Sequence, residues 1–294
     1  MTLLLGFPEY REPTERLAMA LDLPFDLIAI HRFPDGESLI RTPTTLPEKV
    51  ILCRSLHFPN EKLVELLLVI AHLREQGVKR ILLVAPYLSY MRQDKAFHPG
   101  EVVSQRVLGR LLASHIDGIL TVDAHLHRIH RLEDAIPVDP AVNLTATEPM
   151  AEFLEKARNR PLLVGPDEES EQWVASIAAH EALDYLVARK RRLGDQQVEI
   201  RLPAYPFAGR EIVLVDDVAS TGHTLEKTAM ALAAHAPASV SVLVTHALFV
   251  GNAMQRLSKA GIEHIWSCDS IPHPTNRISL CRLLADELRK LIWE

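Results

Sequence analysis

Residues 63–85 read LVELLLVIAHLREQGVKRILLVA, and this stretch decides the fold. In its first half, leucine and isoleucine recur at helical spacing up to Gly77, and glycine commonly ends helices. After two basic residues the chain is continuously apolar over residues 81–85. A short run that is apolar on both faces is typical of a buried parallel strand. The stretch therefore predicts a helix followed by a strand inside a parallel sheet.

The same scheme of helices and strands continues along both halves of the chain. Residues 198–202 alternate apolar and polar side chains, which indicates a half-exposed antiparallel strand. Alternation of strands and helices predicts an α/β fold with mostly parallel sheets flanked by helices. We predict a helix over residues 101–114, strands over residues 119–122, 162–164, 183–187, 212–215 and 240–244, and helices after Asp167, Ser220 and His246.

Two strands end in the same way, and this predicts two similar domains. Residues 119–123 read ILTVD and residues 212–216 read IVLVD, so each apolar strand ends in an aspartate. Three prolines interrupt the pattern between residues 137 and 149. A chain of 294 residues is long enough for two domains, given about 150 residues per domain. We therefore predict an N-terminal domain over residues 1–146 and a C-terminal domain over residues 147–294.

The composition is that of a globular chain and excludes several classes of protein. Hydrophobic residues make up 48% and charged residues 24%, which excludes a disordered or collagen-like chain. The 32 basic residues against 38 acidic ones give a net charge of −6, which disfavours a nucleic-acid partner. Three cysteines (Cys53, Cys268 and Cys281) are too few for a disulfide framework, and no apolar run reaches the about 18 residues of a membrane-spanning helix. We therefore expect a cytoplasmic protein with neither nucleic acid nor membrane as a partner.

The segment with the most chemistry is residues 213–224, which read VLVDDVASTGHT. An apolar strand ends there in Asp216 and Asp217, and a loop of hydroxyl residues and glycine then opens a helix. Open α/β sheets bind ligands at the carboxyl ends of their strands, and a helix N-terminus offers unpaired amides to a phosphate. The two carboxylates would repel a phosphate, so they suit sugar hydroxyls or a magnesium ion beside it. The segment therefore predicts a phosphate site with sugar hydroxyls or a magnesium ion beside it.

This segment resembles the signature with which phosphoribosyltransferases and phosphoribosyl diphosphate synthases hold a ribose 5-phosphate group. Further segments are similar to the synthases in particular and occur in the same order along the chain. They are residues 33–37 (FPDGE), 86–95 (PYLSYMRQDK), 121–125 (TVDAH), 188–192 (ARKRR) and 245–253 (THALFVGNA). On this set the chain is identified as a member of the phosphoribosyl diphosphate synthase (ribose-phosphate diphosphokinase) family, with features closest to its archaeal-type members.

The resemblance implies an enzyme of two phosphoribosyltransferase-like domains. Family members transfer the β,γ-diphosphoryl group of ATP to the 1-hydroxyl of ribose 5-phosphate, giving 5-phosphoribosyl 1-diphosphate and AMP. Such a reaction needs positioning and charge neutralisation rather than a covalent intermediate. The resemblance makes Lys190 and Arg192 the catalytic cations of a flap that continues through residues 194–197. It assigns ribose 5-phosphate binding in the C-terminal domain to Arg192, Asp216, Asp217, Ser220, Thr221, Gly222, His223 and Thr224.

The resemblance also implies how ATP and its metal are held. Magnesium bound with ATP would be held by His125 and Asp167, although histidine is a softer ligand than Mg²⁺ prefers. Residues 33–37 would form an adenine-binding hairpin that reaches into a neighbouring subunit's site, which implies a homodimer or larger homo-oligomer. From the sequence alone, the same residues are an ordinary Pro-Asp-Gly turn. The implied ATP-binding residues are Phe33, Asp35, Glu37, Arg92, Gln93 and His125.

Four residues depart from the family pattern. Glu168 and Glu169 follow Asp167 where members usually have small residues, and acids beside a triphosphate repel it unless a cation compensates. His223 replaces a glycine of the phosphate loop, and Met91 replaces an alanine. These departures bear on ATP affinity and nucleotide preference.

A different class of enzyme competes with this interpretation. Residues 123–127 read DAHLH, which also fits a metal-binding strand of a (β/α)₈ amidohydrolase, with His125 and His127 on one face and a zinc ion between them. His246, His264 and Asp269 would complete such a site. This alternative leaves residues 216–224 unexplained.

Two further alternatives stay within related folds. A non-catalytic regulatory homologue of the synthase is expected to lose the flap cations or the ribose acids, whereas Lys190, Arg192, Asp216 and Asp217 are all present. A phosphoribosyltransferase that consumes the product would need only one of the two halves of this chain.

Overall fold

The structure is a computed structural model that describes residues 1–126, 128–192 and 198–292, without the side chains of residues 191, 192, 198, 199 and 292. The described chain forms two parallel six-stranded sheets with helices around them, which confirms the predicted α/β class. Contacts within the chain divide it into two compact units. The first unit comprises Met1–Thr145 and the C-terminal segment from Leu280, and the second comprises Ala146–Ser279.

The first unit is built on a sheet with the strand order β2-β1-β5-β6-β7-β8, and every neighbouring pair is parallel. Its core packs Leu83 and Ile119 of the sheet with Leu66 and Leu73 of a helix. Its elements are β1 (Thr2–Gly6), α1 (Arg11–Leu21), β2 (Phe25–Leu27), β3 (Ala29–Arg32), β4 (Ser38–Arg41), β5 (Lys49–Cys53), α2 (Pro59–Glu75), β6 (Arg80–Ala85), α3 (Ser104–Ala113), β7 (Gly118–Val122), α4 (Leu132–Ala135) and β8 (Ala141–Leu144).

The deciding stretch folds as its sequence predicts. Helix α2 carries the leucine repeat, and the chain then passes Gly77, whose φ of 87° lies in the left-handed region that favours glycine. Strand β6 follows, and β7 beside it is buried at every residue. Burial on both faces explains why these strands are continuously apolar.

The second unit repeats this arrangement. Its sheet has the order β10-β9-β13-β14-β15-β16, again parallel throughout, around a core that includes Leu214, Val242 and Leu232. Its elements are α5 (Thr147–Ala157), β9 (Leu162–Gly165), α6 (Glu171–Glu181), β10 (Tyr185–Val187), β11 (Arg189–Arg192), β12 (Val198–Arg201), β13 (Glu211–Ala219), α7 (His223–Ala233), β14 (Ser239–Ala247), α8 (Ala253–Lys259), β15 (Ile265–Cys268) and β16 (Asn276–Ile278).

Each unit also carries one antiparallel hairpin outside its six-stranded sheet. In the first unit β3 pairs with β4, and in the second β11 pairs with β12. The antiparallel strand that the alternation over residues 198–202 predicts is thus confirmed as β12. The two hairpins occupy the same place in the order of elements, so the two units have the same topology. The two strand endings that are alike in the sequence lie on β7 and β13, which are not equivalent strands, because β13 corresponds to β5.

The C-terminal helix α9 (Cys281–Ile292) lies in the first unit, whereas the predicted boundary assigns it to the C-terminal domain. The helix packs against α1, and Arg289 Nη2 donates to the carbonyl of Ala20 at 2.7 Å. Leu284 and Leu288 are buried, as expected for the apolar face of an amphipathic helix that packs against the protein. A sequence boundary drawn at a single point cannot represent a chain that returns to its first unit.

No helix among the described residues is both long and apolar enough to cross a bilayer.

We predict that Leu288→Ala weakens the first unit. Leu288 is fully buried, so its truncation leaves a cavity that costs about 2–4 kcal/mol of unfolding free energy. Hydrogen exchange followed by mass spectrometry should show faster exchange in α1. The exposed neighbour Lys290, changed to alanine, serves as the control and should leave α1 protected. Faster exchange in α7 with α1 unchanged would contradict this assignment.

Candidate active site

Strand β13 delivers two acids to the carboxyl end of the second unit's sheet. Asp216 pairs in register with Val244 of β14 and is half-buried, while Asp217 is only 2% exposed. The strand then continues to Ala219, and helix α7 begins at His223. The residues between them form a short loop that joins a central strand to a helix N-terminus. This is the arrangement that open α/β sheets use to bind ligands.

The loop between β13 and α7 is shaped by Gly222. This residue precedes the helix with a φ of 71°, in the left-handed region that side chains rarely adopt. Space is not the constraint, because a β-carbon there would make ordinary contacts at 3.5 Å with Leu257 and 3.6 Å with Ala253. His223, in contrast, lies inside the helix and is exposed, with its Nδ1 3.5 Å from Glu226. His223 is not among the residues with a positive φ, so this position does not need the conformational freedom of a glycine.

The backbone amides of residues 221–224 are available to a ligand. Within the described part of the chain, no backbone or side-chain acceptor pairs with them, and the helix has no side-chain cap. The loop is held instead by its carbonyls, because Ala219 and Ser220 accept from the amides of Phe249 and Val250 at 2.9 and 3.0 Å. Unpaired amides at a helix N-terminus form a binding site for an anion.

Arg256 is a site residue that the sequence reasoning missed. Its Nη2 donates to the carbonyl of Thr221, and its Nε lies 3.7 Å from Glu226 Oε2. The guanidinium thus fixes a carbonyl of the loop and brings a positive charge to it. In the sequence, Arg256 is the third residue after the GNA of residues 251–253. This position alone does not distinguish a site residue from an ordinary surface arginine.

Asp167 and Lys190 join this end of the second unit. Asp167 follows β9 and is half-buried, and its Oδ1 accepts from the amide of Glu169 at 3.2 Å. Lys190 Nζ on β11 lies 3.4 Å from Thr224 Oγ1 and 4.0 Å from Asp167 Oδ2. Two residues that were predicted from separate segments therefore lie together at the phosphate loop. Gly165 permits this turn, since a β-carbon there would lie 2.4 Å from Ser170 Oγ.

The glutamates that depart from the family pattern are exposed. They form a 3₁₀ turn after Asp167, and Glu168 lies 3.9 Å from Arg189. Burial raises the pKa of Asp167, and the charge of Glu169 raises it further, against the opposing effect of Lys190. Of the two extra acids, Glu169 therefore makes ionisation of Asp167 harder unless a cation is bound nearby.

The paired acids of β13 repel one another. Burial raises the pKa of Asp216 well above its ordinary value, and the neighbouring charges of Asp217 and Asp167 raise it further. Three carboxylates that influence one another in this way are costly to the folded protein when no ligand is present. A perturbed acid at the end of a central strand is typical of a functional site.

In the first unit, the predicted adenine-binding residues lie in the turn of the β3–β4 hairpin. The amide of Phe33 donates to the carbonyl of Glu37 at 2.8 Å, and the amide of Gly36 donates to the carbonyl of Phe33 at 3.0 Å. Asp35 Oδ1 accepts from the amide of Glu37 at 3.2 Å. Phe33 is 40% exposed and packs edge-on against His31. The structure thus presents an exposed aromatic ring on an ordered turn.

The loop after β6 carries Arg92 and Gln93. Arg92 is exposed, while Asp94 in the same loop is paired with Arg128. Gln93 Nε2 donates to the carbonyl of Lys95 at 3.1 Å. Met91 is 1% exposed and belongs to the core of the first unit. The methionine that replaces the family's alanine therefore fills the interior and does not line the loop surface.

His125 follows β7 and is half-buried. The chain leaves β7 through Asp123, whose φ of 41° is unusual for a non-glycine residue. The amide of Ala124 then donates to Asn143 Oδ1 at 2.9 Å, which fixes the backbone just before the histidine.

Some predicted residues lie outside the described part of the chain. They are the side chain of Arg192, the flap residues 194–197, and His127. The backbone of Arg192 lies in β11, opposite Val198 of β12.

The amidohydrolase alternative is wrong. The described strands form two open sheets where that enzyme class needs a closed eight-stranded barrel. His246 is buried with its Nδ1 2.8 Å from Ser270 Oγ, and His264 stacks on Trp266 with 5.4 Å between ring centres. Neither histidine belongs to a group of three potential ligands within the described residues.

The donor atoms present suit magnesium. Asp167 offers carboxylate oxygens, which are the hard ligands that Mg²⁺ prefers. No group of three or more histidine, cysteine or acidic side chains in the described residues is arranged to hold a metal alone. Magnesium is commonly held by one or two carboxylates together with substrate phosphates and water, which this donor set allows.

The fold and the loop after β13 define a protein of the phosphoribosyltransferase type. A family model for the N-terminal domain of ribose phosphate pyrophosphokinase matches residues 3–115, and one for the phosphoribosyl transferase domain matches residues 139–278. The chain is 34% identical to a ribose-phosphate pyrophosphokinase of Methanopyrus kandleri over 94% of each chain. It is 32% identical to the enzyme of the same name from Methanosarcina acetivorans, over 98% of this chain and 99% of that one. The chain belongs to the ribose-phosphate pyrophosphokinase family.

A solved structure shows the same fold. The crystal structure of phosphoribosylpyrophosphate synthetase from Mycobacterium smegmatis superposes with a TM-score of 0.86 and covers 99% of this chain and 98% of that one. The two chains are 23% identical, so this likeness concerns the fold.

We predict that Asp216→Asn stabilises the substrate-free protein at neutral pH. Because the pKa of Asp216 is raised on folding, the folded state binds the proton of this carboxyl more tightly than the unfolded chain does, and ionisation of Asp216 opposes folding. The contribution of Asp216 to stability is therefore present below an ordinary carboxyl pKa of about 3.9 and is lost as the pH rises toward the raised value. Thermal unfolding should give the variant a higher Tm than the unchanged protein at neutral pH and a similar Tm at about pH 4.

Asp184→Asn provides a control of opposite sign in the same unit. Hydrogen bonds from Tyr205 and Arg210 lower the pKa of Asp184, so its ionised form stabilises the fold above the ordinary carboxyl pKa. This variant should lose Tm at neutral pH. A decrease in Tm for both variants would contradict the electrostatic account of Asp216.

Proposed function

We propose that the chain catalyses the transfer of the β,γ-diphosphoryl group of ATP to the 1-hydroxyl of ribose 5-phosphate, giving 5-phosphoribosyl 1-diphosphate and AMP. One observation carries the proposal: the unpaired amides of residues 221–224 lie in the loop and helix start that follow Asp216 and Asp217. The chain is also related over nearly its full length to enzymes named ribose-phosphate pyrophosphokinase. Retention of Lys190 and both aspartates argues against a non-catalytic homologue.

Ribose 5-phosphate is assigned to the second unit. The 5-phosphate accepts hydrogen bonds from the amides of residues 221–224 and from the hydroxyls of Ser220, Thr221 and Thr224. The carboxylates of Asp216 and Asp217 accept from the ribose hydroxyls. Arg256 supports the phosphate by holding the carbonyl of Thr221.

The transfer itself needs no covalent intermediate. The 1-hydroxyl oxygen forms a bond to the β-phosphorus, the bond from that phosphorus to the bridging α–β oxygen breaks, and the hydroxyl proton is released. Negative charge spreads over the phosphoryl oxygens and the leaving AMP during this step. Lys190 and Arg192 are assigned the role of stabilising this charge. Lys190 is suited to it because its ammonium group lies beside the phosphate loop before substrate is bound.

ATP is assigned to Phe33, Asp35, Glu37, Arg92, Gln93 and His125 of the first unit. Phe33 offers an exposed ring for stacking on adenine, and Arg92 offers a guanidinium to phosphate oxygens. Magnesium would be held by Asp167 and His125, and when bound it would neutralise charge on the phosphates. The hairpin is assigned to a neighbouring subunit's site, which makes the enzyme a homodimer or larger homo-oligomer. A cytoplasmic location stays a prediction from the cysteine content.

The reaction can be tested directly with the purified chain. AMP formation should require ribose 5-phosphate, ATP and millimolar magnesium together, and phosphorus NMR should detect a diphosphate ester on the sugar. Ribose without its phosphate serves as the control substrate and should give no AMP. AMP release that is independent of ribose 5-phosphate, or the absence of any AMP, would refute the proposal.

We predict that Lys190→Ala lowers kcat by about 10²–10³-fold and raises the Kd for ribose 5-phosphate by less than about threefold. The reason is that a cation which meets the spreading charge acts mainly in the transition state. Arg189→Ala is the matched control, since Arg189 is the preceding residue of the same strand and is 82% exposed. It should leave kcat within about twofold. Equal losses in kcat and in sugar-phosphate affinity would contradict the role of Lys190.

A further inference from the structure

We propose that Glu65 is a positioning residue for ATP, because it fixes the two strand ends that carry the adenine-binding turn. This proposal rests on the proposed function, which assigns residues 33–37 to adenine. Glu65 lies on α2, and no hydrogen bond of the described chain joins it to residues 33–37. It acts through its neighbours on the hairpin.

Both hairpin strands bond to the same oxygen of Glu65. Arg32 Nε donates to Glu65 Oε1 at 3.2 Å, and Ser38 Oγ donates to the same oxygen at 3.0 Å. Arg32 and Ser38 form the last register pair before the turn. One carboxylate oxygen therefore joins the residue that enters the adenine-binding turn to the residue that leaves it.

The other oxygen of Glu65 is fixed inside the first unit. Arg54 Nη2 donates to Glu65 Oε2, and both side chains are almost completely buried. Each nitrogen of the Arg54 guanidinium has a partner, because its Nη1 also donates to the carbonyl of Lys62 at 2.9 Å and its Nε donates to Glu9 Oε1 at 2.7 Å. Its guanidinium also lies 4.0 Å from the ring centre of Phe7. Glu65 thus connects a rigid buried arginine to an exposed hairpin.

The hairpin needs such an attachment. It is a two-stranded sheet on its own, and isolated hairpins are at best marginally stable in water. Ile30 and Ile40 pack against the core of the first unit, but they lie two residues farther from the turn. Every residue from 31 to 37 is exposed. Glu65 is therefore the buried contact nearest to the turn.

Charge favours the same arrangement. Burial acts to raise the pKa of Glu65, but the hydrogen bonds and charges of Arg54, with those of Ser38 and Arg32, outweigh burial and hold the pKa below its ordinary value. The carboxylate therefore stays ionised and keeps both hairpin bonds at neutral pH.

Steady-state kinetics of the full-length enzyme test the proposal. Glu65→Gln keeps the side-chain shape but removes the charge, and it should raise the KM for ATP by about tenfold while the KM for ribose 5-phosphate stays within about twofold. Ser38→Ala removes only the hairpin side of the network and leaves the pair between Arg54 and Glu65 intact. It should raise the KM for ATP by about fivefold, so the test holds even if Glu65→Gln folds poorly.

Two control variants separate the possible outcomes. Glu61→Gln removes an exposed acid of the same helix that lies 3.1 Å from Arg32, and it should change neither KM by more than about twofold. Phe33→Ala reports on the assignment of the hairpin to adenine. If Phe33→Ala leaves the KM for ATP unchanged, the assignment in the proposed function fails. If Phe33→Ala raises it but Ser38→Ala does not, or if Ser38→Ala raises both KM values equally, the positioning role of Glu65 is overturned.

Discussion

Backbone amides without an acceptor, in the loop that follows a strand ending in two acids, are the constraint on which the candidate site depends. A helix N-terminus leaves backbone donors that only a side chain, water or a ligand can satisfy. In the described chain the amides of residues 221–224 have no protein acceptor, although the carbonyls of Ala219, Ser220 and Thr221 are all bonded. The loop is therefore rigid on its carbonyl side and open on its amide side, which suits a fixed site for an anion.

The acids beside this loop oppose folding and favour function. Burial raises the pKa of Asp216 and of Asp167. The charges of Asp217 and Asp167 raise the pKa of Asp216 further, and the charge of Glu169 raises that of Asp167. Such a cluster reduces stability in the substrate-free protein, as is common where a site is built for a ligand. The sugar hydroxyls and the cations of the reaction would satisfy these charges. Lys190 already provides one such cation next to Asp167 and Thr224.

Much of the fold follows from local patterns in the sequence. The apolar runs at residues 81–85 and 119–122 are strands because they are buried on both faces, and the spacing of residues 63–73 is helical because one side faces the core. The acids of β13 and the loop after it were also predictable from a local pattern, because the end of the strand, the loop and the start of the helix follow one another in the sequence. The position of α9 was not predictable, because it depends on packing against residues some 270 positions earlier.

Residues that support the site from other elements were also missed. Arg256 contacts the phosphate loop across 35 positions, and Glu65 contacts Arg32 across 33. In the sequence each is only a charged residue on a helix, where a solvent-exposed role is the usual one. Met91 is the opposite case. Its replacement of the family's alanine suggested an effect on ATP binding, but the side chain is buried in the core of the first unit.

The most direct measurement is a crystal structure of the protein with ribose 5-phosphate. The account predicts that the 5-phosphate lies within hydrogen-bond distance of the amides of residues 221–224 and that the ribose hydroxyls contact Asp216 and Asp217. A sugar phosphate bound at another place, or bound here with its phosphate away from these amides, would contradict the account.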